Sequence, residues 1–229
     1  MYLPSHFEET RTEVLHALMQ AHPLGLLITL SQDGLQANPI PVLIDPDPGR
    51  FGTLRGHVAR ANPLWRDSRF DLESLVVFQG PQAYVSPSMY PSKAEHGKVV
   101  PTWNYVAVQA HGRLRCIDDA AWLRALVGRL TQTHEAARDK PWAVEDAPAD
   151  YVATMLRGIV GIEIELTRLS GKWKVSQNRS ADDRQGVAQG LWQQGASRGC
   201  RQTAELAQLV EIGGARDAQD APPLTPAPR

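Results

Sequence analysis

The apolar positions follow two periods. Val14, Leu15, Leu18 and Met19 recur at helical spacing behind acidic residues Glu8 and Glu9, which predicts an amphipathic packing helix over 8–21. From Leu24 the period shortens. Residues 24–30 form a nearly unbroken apolar run, Ser31-Gln32-Asp33-Gly34 has turn chemistry, and 35–44 extends again, together a β-hairpin. Pro39 and Pro41 each remove a ladder donor, so the second strand is expected at an edge, with a bulge, or with those positions turned from a partner. Strand-like runs recur at 51–58, 73–79, 82–86 and 102–117, and Asn62-Pro63-Leu64-Trp65 opens a short helix capped by Asn62. Strands at such short intervals predict a small β-barrel with flanking helices, an α+β fold.

The run 102–117 alternates most clearly. Val106, Val108, Ala110, Leu114 and Cys116 share one face, and Gln109, His111, Arg113 and Arg115 the other. Thr102 and Asn104 have the parity of the apolar face, so these polar side chains need partners from a ligand or a neighbouring loop. A helix over 119–138 packs through Trp122, Leu123, Leu126, Val127 and Leu130. Residues 159–169 alternate again, and Ser170-Gly171 is expected to turn them into 172–175 as a second hairpin, followed by a helix over about 181–194. One domain is expected over 1–195, its barrel core at about 22–118 and 159–175, with a C-terminal helix at 196–212 and a disordered tail at 213–229.

Composition narrows the chemistry. A formal charge of −1 and a pI near 6.7 give no global attraction to phosphate backbones or anionic lipid. The N-terminus has no basic stretch leading into an apolar one, and no apolar run approaches a membrane span, so a soluble cytoplasmic protein is expected. Cys116 and Cys200 belong to no CxxC pair and read as reduced thiols. His134 and Glu135 lack HExxH spacing, and no metal site is expected. GxGxxG, GxxxxGK[ST] and GxSxG are missing, against Rossmann, P-loop and nucleophile-elbow chemistry.

Three polar constellations stand out. In the first, 54–63, Arg55, His57 and Arg60 bring donors beside a helix start at Asn62-Pro63, an arrangement suited to a phosphate monoester; the alternative is a solvated corner with surface ion pairs. The second joins 84–93 to 102–105. Ser86, Ser88, Thr102 and Asn104 offer hydrogen bonds, Tyr90 and Trp103 aromatic faces, and Lys93 and Lys98 cations, as a flat polar ring system requires; the alternative is a packed barrel rim. In the third, 172–179, Gln177, Asn178 and Arg179 can close a ligand's far side or a subunit interface, or Asn178 and Ser180 can cap the next helix.

These constellations, in this order, with the opening Met1-Tyr2-Leu3-Pro4-Ser5-His6-Phe7, resemble the PaiB family of FMN-binding transcriptional regulators over roughly residues 1–195. Its most specific parts are Gly56-His57-Val58-Ala59-Arg60-Ala61-Asn62-Pro63, Tyr84-Val85-Ser86-Pro87, Val100-Pro101-Thr102-Trp103-Asn104-Tyr105 and Lys174-Val175-Ser176-Gln177-Asn178-Arg179. The resemblance implies a six-stranded Greek-key split barrel of the pyridoxamine-phosphate-oxidase type, a homodimer, and FMN at the subunit interface. It assigns the FMN phosphate to His57, Arg60 and Asn62, with Arg55 beside them, and the ring and ribityl chain to Ser86, Thr102 and Asn104. Tyr90, Lys93, Trp103, Gln177, Asn178 and Arg179 complete the cofactor-binding candidates. Met89 and Val175 depart from the family pattern by apolar swaps.

Function is expected to be that of a flavin-dependent regulator or sensor, with no catalytic residue assigned. A small-molecule oxidoreductase is the first alternative, and a haem-binding barrel using His6, His57, His96, His111 or His134 the second. Direct DNA binding lacks a helix-turn-helix, a basic arm and positive charge, leaving only a dimer surface for it.

Overall fold

The hairpin predicted near residue 31 organises the sheet. In this computed structural model, which describes residues 1–214, strands β2 (Leu24–Ser31) and β3 (Gly34–Asp45) pair from Leu24↔Pro41 to Ser31↔Gly34 around the loop Gln32-Asp33. Gly34 takes a left-handed φ of +105°, which a side chain would strain. Most of the expected tail, 215–229, lies outside the described residues.

The chain divides into two compact units. Unit 2 holds Met19–Phe78 and Ala110–Leu169; unit 1 holds Met1–Leu18, Gln79–Gln109 and 170–214. The remaining strands are β1 (Glu8–Glu9), β4 (Thr53–Ala59), β5 (Glu73–Val85), β6 (Thr102–Ile117) and β7 (Ile159–Lys174). One antiparallel sheet of seven strands runs in the order β1-β7-β4-β3-β2-β5-β6, and a further pairing of β7 with β6 closes the order on itself. The family resemblance implied six strands; the sheet has seven, of which β1 is only two residues long.

In unit 2 the inward residues of each strand are apolar. Leu27, Leu54, Val58, Val76, Phe78, Ile162 and Ile164 are buried, each worth about 1.5–3 kcal/mol relative to exposure. Pro39 and Pro41 sit in an internal strand, yet the β3–β4 pairing begins only at Val42↔Gly56, so both prolines have a strand neighbour on one side alone. Helix α4 (Ala120–Glu135) buries Leu123, Leu126 and Leu130, and Asp119 caps it by accepting from the Trp122 backbone N–H at 2.7 Å. Unit 2 also contains α2 (Leu64–Asp67) and α5 (Ala149–Arg157).

The structure corrects the sequence reading at three points. The first helix, α1 (Thr12–Ala21), starts later than residue 8, because Glu8 and Glu9 pair with Lys172 and Gly171 of β7. That pairing also removes the turn expected at Ser170-Gly171: β7 continues through it, and only glycine at 171 leaves space for Leu15 and the Glu9 carbonyl. The runs 73–79 and 82–86 fuse into β5, whose inside–outside phase slips at Gly80-Pro81, where both residues are buried. Helix α3 (Ser92–His96) is short, and α6 (Ala181–Arg198) and α7 (Arg201–Ile212) pack together through Val187, Ala188, Leu191, Leu206, Ala207 and Val210.

Ring closure in unit 2 depends on a glycine. A Cβ at Gly112 of β6 would stand 2.2 Å from the Glu165 carbonyl oxygen of β7, a backbone atom that cannot swing aside. Gly112→Ala is therefore expected to cost about 3 kcal/mol in urea unfolding. Gly128→Ala on α4, where nothing lies within 4 Å of the new methyl, is expected to gain up to about 1 kcal/mol.

Candidate functional site

The first constellation lies in unit 2, at the end of β4. Alternation along β4 turns Leu54, Gly56 and Val58 inward and Arg55 and His57 to the opposite face. Arg55 is held by two carboxylates, donating from Nε to Glu163 at 2.8 Å and from Nη1 to Asp45. Arg129 of α4 binds the same Asp45 carboxylate, so helix and strand are fastened by one acid between two guanidinium groups. Burial pushes the Asp45 carboxyl up, but Arg129 and Arg55 outweigh it and hold the group below its ordinary range. Arg60 sits one turn further on. It donates to both Asp118 oxygens, to the Arg157 carbonyl at 2.7 Å and to the Ile159 carbonyl at 3.0 Å. Asn62 accepts from the Leu64 backbone N–H at 2.9 Å and donates to Asn38 at 3.1 Å; α2 starts one residue later than expected, with Pro63 and not Asn62 at its N-cap. His57 differs from these: its Nδ1 is buried without a hydrogen-bond partner among the described residues, and burial lowers its pKa. A cleft of about 660 Å³ beside the corner is walled by Trp65, Phe70, Arg113, Arg115, Cys116 and Asp118. Sequence reasoning missed this cleft, although Arg113 and Arg115 were already on the polar face of 102–117.

The second and third constellations lie in unit 1, and several of their members meet. Asn104 is 1% exposed and donates from Nδ2 to the Ser176 hydroxyl at 2.8 Å, while its Oδ1 is buried without a partner among the described residues. Lys174 donates from Nζ to the Thr102 hydroxyl at 2.5 Å and to the Trp103 carbonyl at 2.7 Å. The loop partners required by Thr102 and Asn104 are thus Lys174 and Ser176, neither of which was among the site candidates. A signal existed: Lys172, Lys174 and Ser176 recur at period two where the strand ends. Ser176 has φ +67°, a left-handed backbone rarely adopted outside glycine, and the chain turns there from β7 toward α6.

The other candidates scatter around this contact. Trp103 is exposed and packs edge-on against Tyr84, with ring centroids 6.1 Å apart. Tyr90 is buried beneath Arg179, whose guanidinium carbon lies 4.9 Å from the ring centroid. Ser86 accepts from the Ser88 backbone and hydroxyl at 3.2 and 2.8 Å. Gln177 folds back on its own strand, donating to the Trp173 carbonyl and accepting from the Val175 N–H. Asn178 is exposed in the turn, and Lys93 is exposed on α3, where it borders a groove of about 900 Å³ between 88–94 and α6.

The family model described as "Putative FMN-binding domain" matches residues 1–168. The chain belongs to this family. It is 36% identical over 234 residues to the uncharacterized protein AN0679 of Emericella nidulans, covering 87% of this chain and 93% of that one. It is 31% identical over 206 residues to protease synthase and sporulation protein PAI 2 of Bacillus subtilis, covering 90% and 96%. Among solved structures, the flavocytochrome Anf3 of Azotobacter vinelandii matches with a TM-score of 0.51 at 13% identity, covering 73% of this chain and 69% of that one. Conserved hypothetical protein Rv2991 of Mycobacterium tuberculosis matches with a TM-score of 0.53 at 13% identity, covering 79% and 94%. These two likenesses concern the fold, that of the split barrels.

Family membership gives FMN as the cofactor. The unit 1 residues fit such a group. An isoalloxazine presents one N–H donor among several acceptors on its pyrimidine edge, and the rim offers a buried unpaired acceptor at Asn104, the donor Lys174, hydroxyls at Thr102 and Ser86, and exposed aromatic surface at Trp103 and Tyr84.

The charge network on β4 sets a pH dependence. Because the folded pKa of Asp45 is depressed, its contribution to stability is complete above the unfolded value of about 3.9 and is lost as pH falls through the folded one. Arg55→Met is expected to cost about 2 kcal/mol at neutral pH, less than a fully buried pair because these side chains keep some exposure. It is also expected to shrink the loss between neutral and acid pH, as read by urea unfolding at several pH values.

Proposed function

We propose that this protein is a homodimeric flavin-dependent regulator or sensor that holds FMN at its subunit interface. The observation that carries the flavin reading is Asn104: an amide oxygen buried without a partner among the described residues, on a rim where the Tyr90 hydroxyl is buried unpartnered as well. In unit 1, Asn104, Thr102 and Ser86 are the proposed contacts to the ring and ribityl chain. Trp103 supplies aromatic surface, Tyr90 supports Arg179 from beneath, Gln177 and Asn178 shape the turn that follows β7, and Lys93 and Arg179 add positive charge. In unit 2, His57, Arg60 and Asn62 are the proposed phosphate contacts, with Arg60 exchanging the Asp118 carboxylate for the phosphate. Arg55, bound to Asp45 and Glu163, stands beside these contacts and supports their strand.

Bound FMN supplies hydride or electron transfer, and the chain's own groups position it and tune the charge around it. The regulatory role is supported by relationship to PAI 2, whose name connects that protein to protease synthesis and sporulation. A six-stranded Greek-key core of the barrel is part of the same reading, as is a cytoplasmic location. Among the described residues no helix is long and apolar enough to cross a membrane.

Two substitutions separate the ends of the cofactor. Arg60→Ala is expected to weaken FMN about tenfold more than riboflavin in a fluorescence-quenching titration, since it removes a charge-assisted phosphate contact and leaves the ring contacts intact. Asn104→Ala is expected to weaken both flavins by the same factor. Equal losses for Arg60→Ala would move the phosphate elsewhere, and unaltered binding by Asn104→Ala would remove the proposed ring contact. FMN-loaded protein is expected to sediment as a dimer.

A further inference from the structure

The end of β7 gathers three cations, none of them ion-paired with a carboxylate among the described residues. Lys172 is 6% exposed, and its Nζ donates to the Tyr2 carbonyl at 3.0 Å and lies 5.6 and 5.3 Å from the ring centroids of Tyr2 and Tyr105. Lys174, two residues on and on the same side of the strand, uses two of its three donors on Thr102 and the Trp103 carbonyl. Arg179 follows the turn and lies over Tyr90. The nearby acids are otherwise placed: Glu9 binds Arg11, Asp183 binds Ser92, and Glu8, opposite Lys172 in the β1–β7 register, is exposed. Burial pushes the Lys174 ammonium below its ordinary value, and the charges of Lys172 and Arg179 push it further down.

The contrast with unit 2 is informative. There Arg55, Arg60 and Arg129 each carry a carboxylate partner. Holding several partly desolvated cations together without a counter-charge is costly, and an anion delivered by a ligand offsets that cost. At the boundary of the cluster, half-buried Thr102 provides a hydroxyl and exposed Trp103 an aromatic wall.

We propose that Lys174 and Arg179, backed by Lys172, bind a compact oxyanion, a phosphate monoester or a carboxylate, carried by a small-molecule ligand. The third Lys174 donor and the Arg179 guanidinium contact the oxyanion, and Lys172 contributes its field from beneath. The proposal rests on the flavin reading only in placing the oxyanion beside the ring contacts Thr102 and Asn104. Its source is an anionic small molecule other than FMN, whose phosphate is proposed above for His57, Arg60 and Asn62.

The test is calorimetric titration of the full-length protein with inorganic phosphate, alone and with saturating FMN or riboflavin, for wild type, Lys174→Met and Lys174→Arg. Saturable phosphate binding is expected in wild type, weakened about tenfold by Lys174→Met and largely restored by Lys174→Arg. Binding is expected to persist under saturating FMN; binding blocked by FMN but not by riboflavin would give the cluster to the cofactor phosphate and overturn the proposal. Absence of saturable phosphate binding, or equal binding by wild type and Lys174→Met, overturns the proposal. A thermal melt checks that Lys174→Met is folded, and Arg179→Gln serves the same comparison if it is not. Phosphate binding without any FMN binding would defeat the flavin reading alone, and FMN binding without phosphate binding the oxyanion site alone.

Discussion

Everything in unit 2 depends on β6 approaching β7 closely enough to close the order of strands. The contact is backbone against backbone at Gly112 and Glu165, where no side chain fits. Closure leaves β5, β2, β3, β4, β7 and β6 each with neighbours on both sides, which removes the exposed edges that open sheets must protect. It also fixes which way β4 faces. With Leu54 and Val58 committed to the interior, Arg55 and His57 must lie on the other face, and the pairing of Arg55 with Glu163 in the strand register brings guanidinium and carboxylate together.

Charge is handled differently in the two units. On β4 and α4, arginines meet carboxylates in a closed network, and the network fastens a helix to a strand. At the end of β7, lysine and arginine lie among hydroxyls, carbonyls and aromatic rings. The first arrangement stabilises without a ligand. The second is completed by a group the chain does not itself provide, and together with the buried amide oxygen of Asn104 it marks unit 1 as the richer binding surface.

Much of this was legible in the sequence, for identifiable reasons. Strand 102–117 alternates strictly, so its extent and its inward set, Val106 to Leu114, follow from period alone. The Gln32-Asp33 loop and the Asn62 turn that leads into α2 are local signals that act within a few residues. What the sequence concealed is long-range. Ser170-Gly171 has turn chemistry, and only pairing with Glu8 and Glu9, more than a hundred and fifty residues away, keeps the strand extended through it. Arg55 likewise looks free beside His57 until Asp45 and Glu163 are brought to it by two different neighbouring strands. Lys174 and Ser176 were visible as a polar repeat, but their importance appears only when Thr102 and Asn104 arrive beside them.

The central claim is that this chain binds FMN, and the most direct measurement is the visible absorbance of purified protein reconstituted with FMN and desalted. Retained flavin bands at about one FMN per chain are predicted, as a cofactor held in a largely pre-formed site requires. A colourless, correctly folded protein after the same treatment would contradict the account.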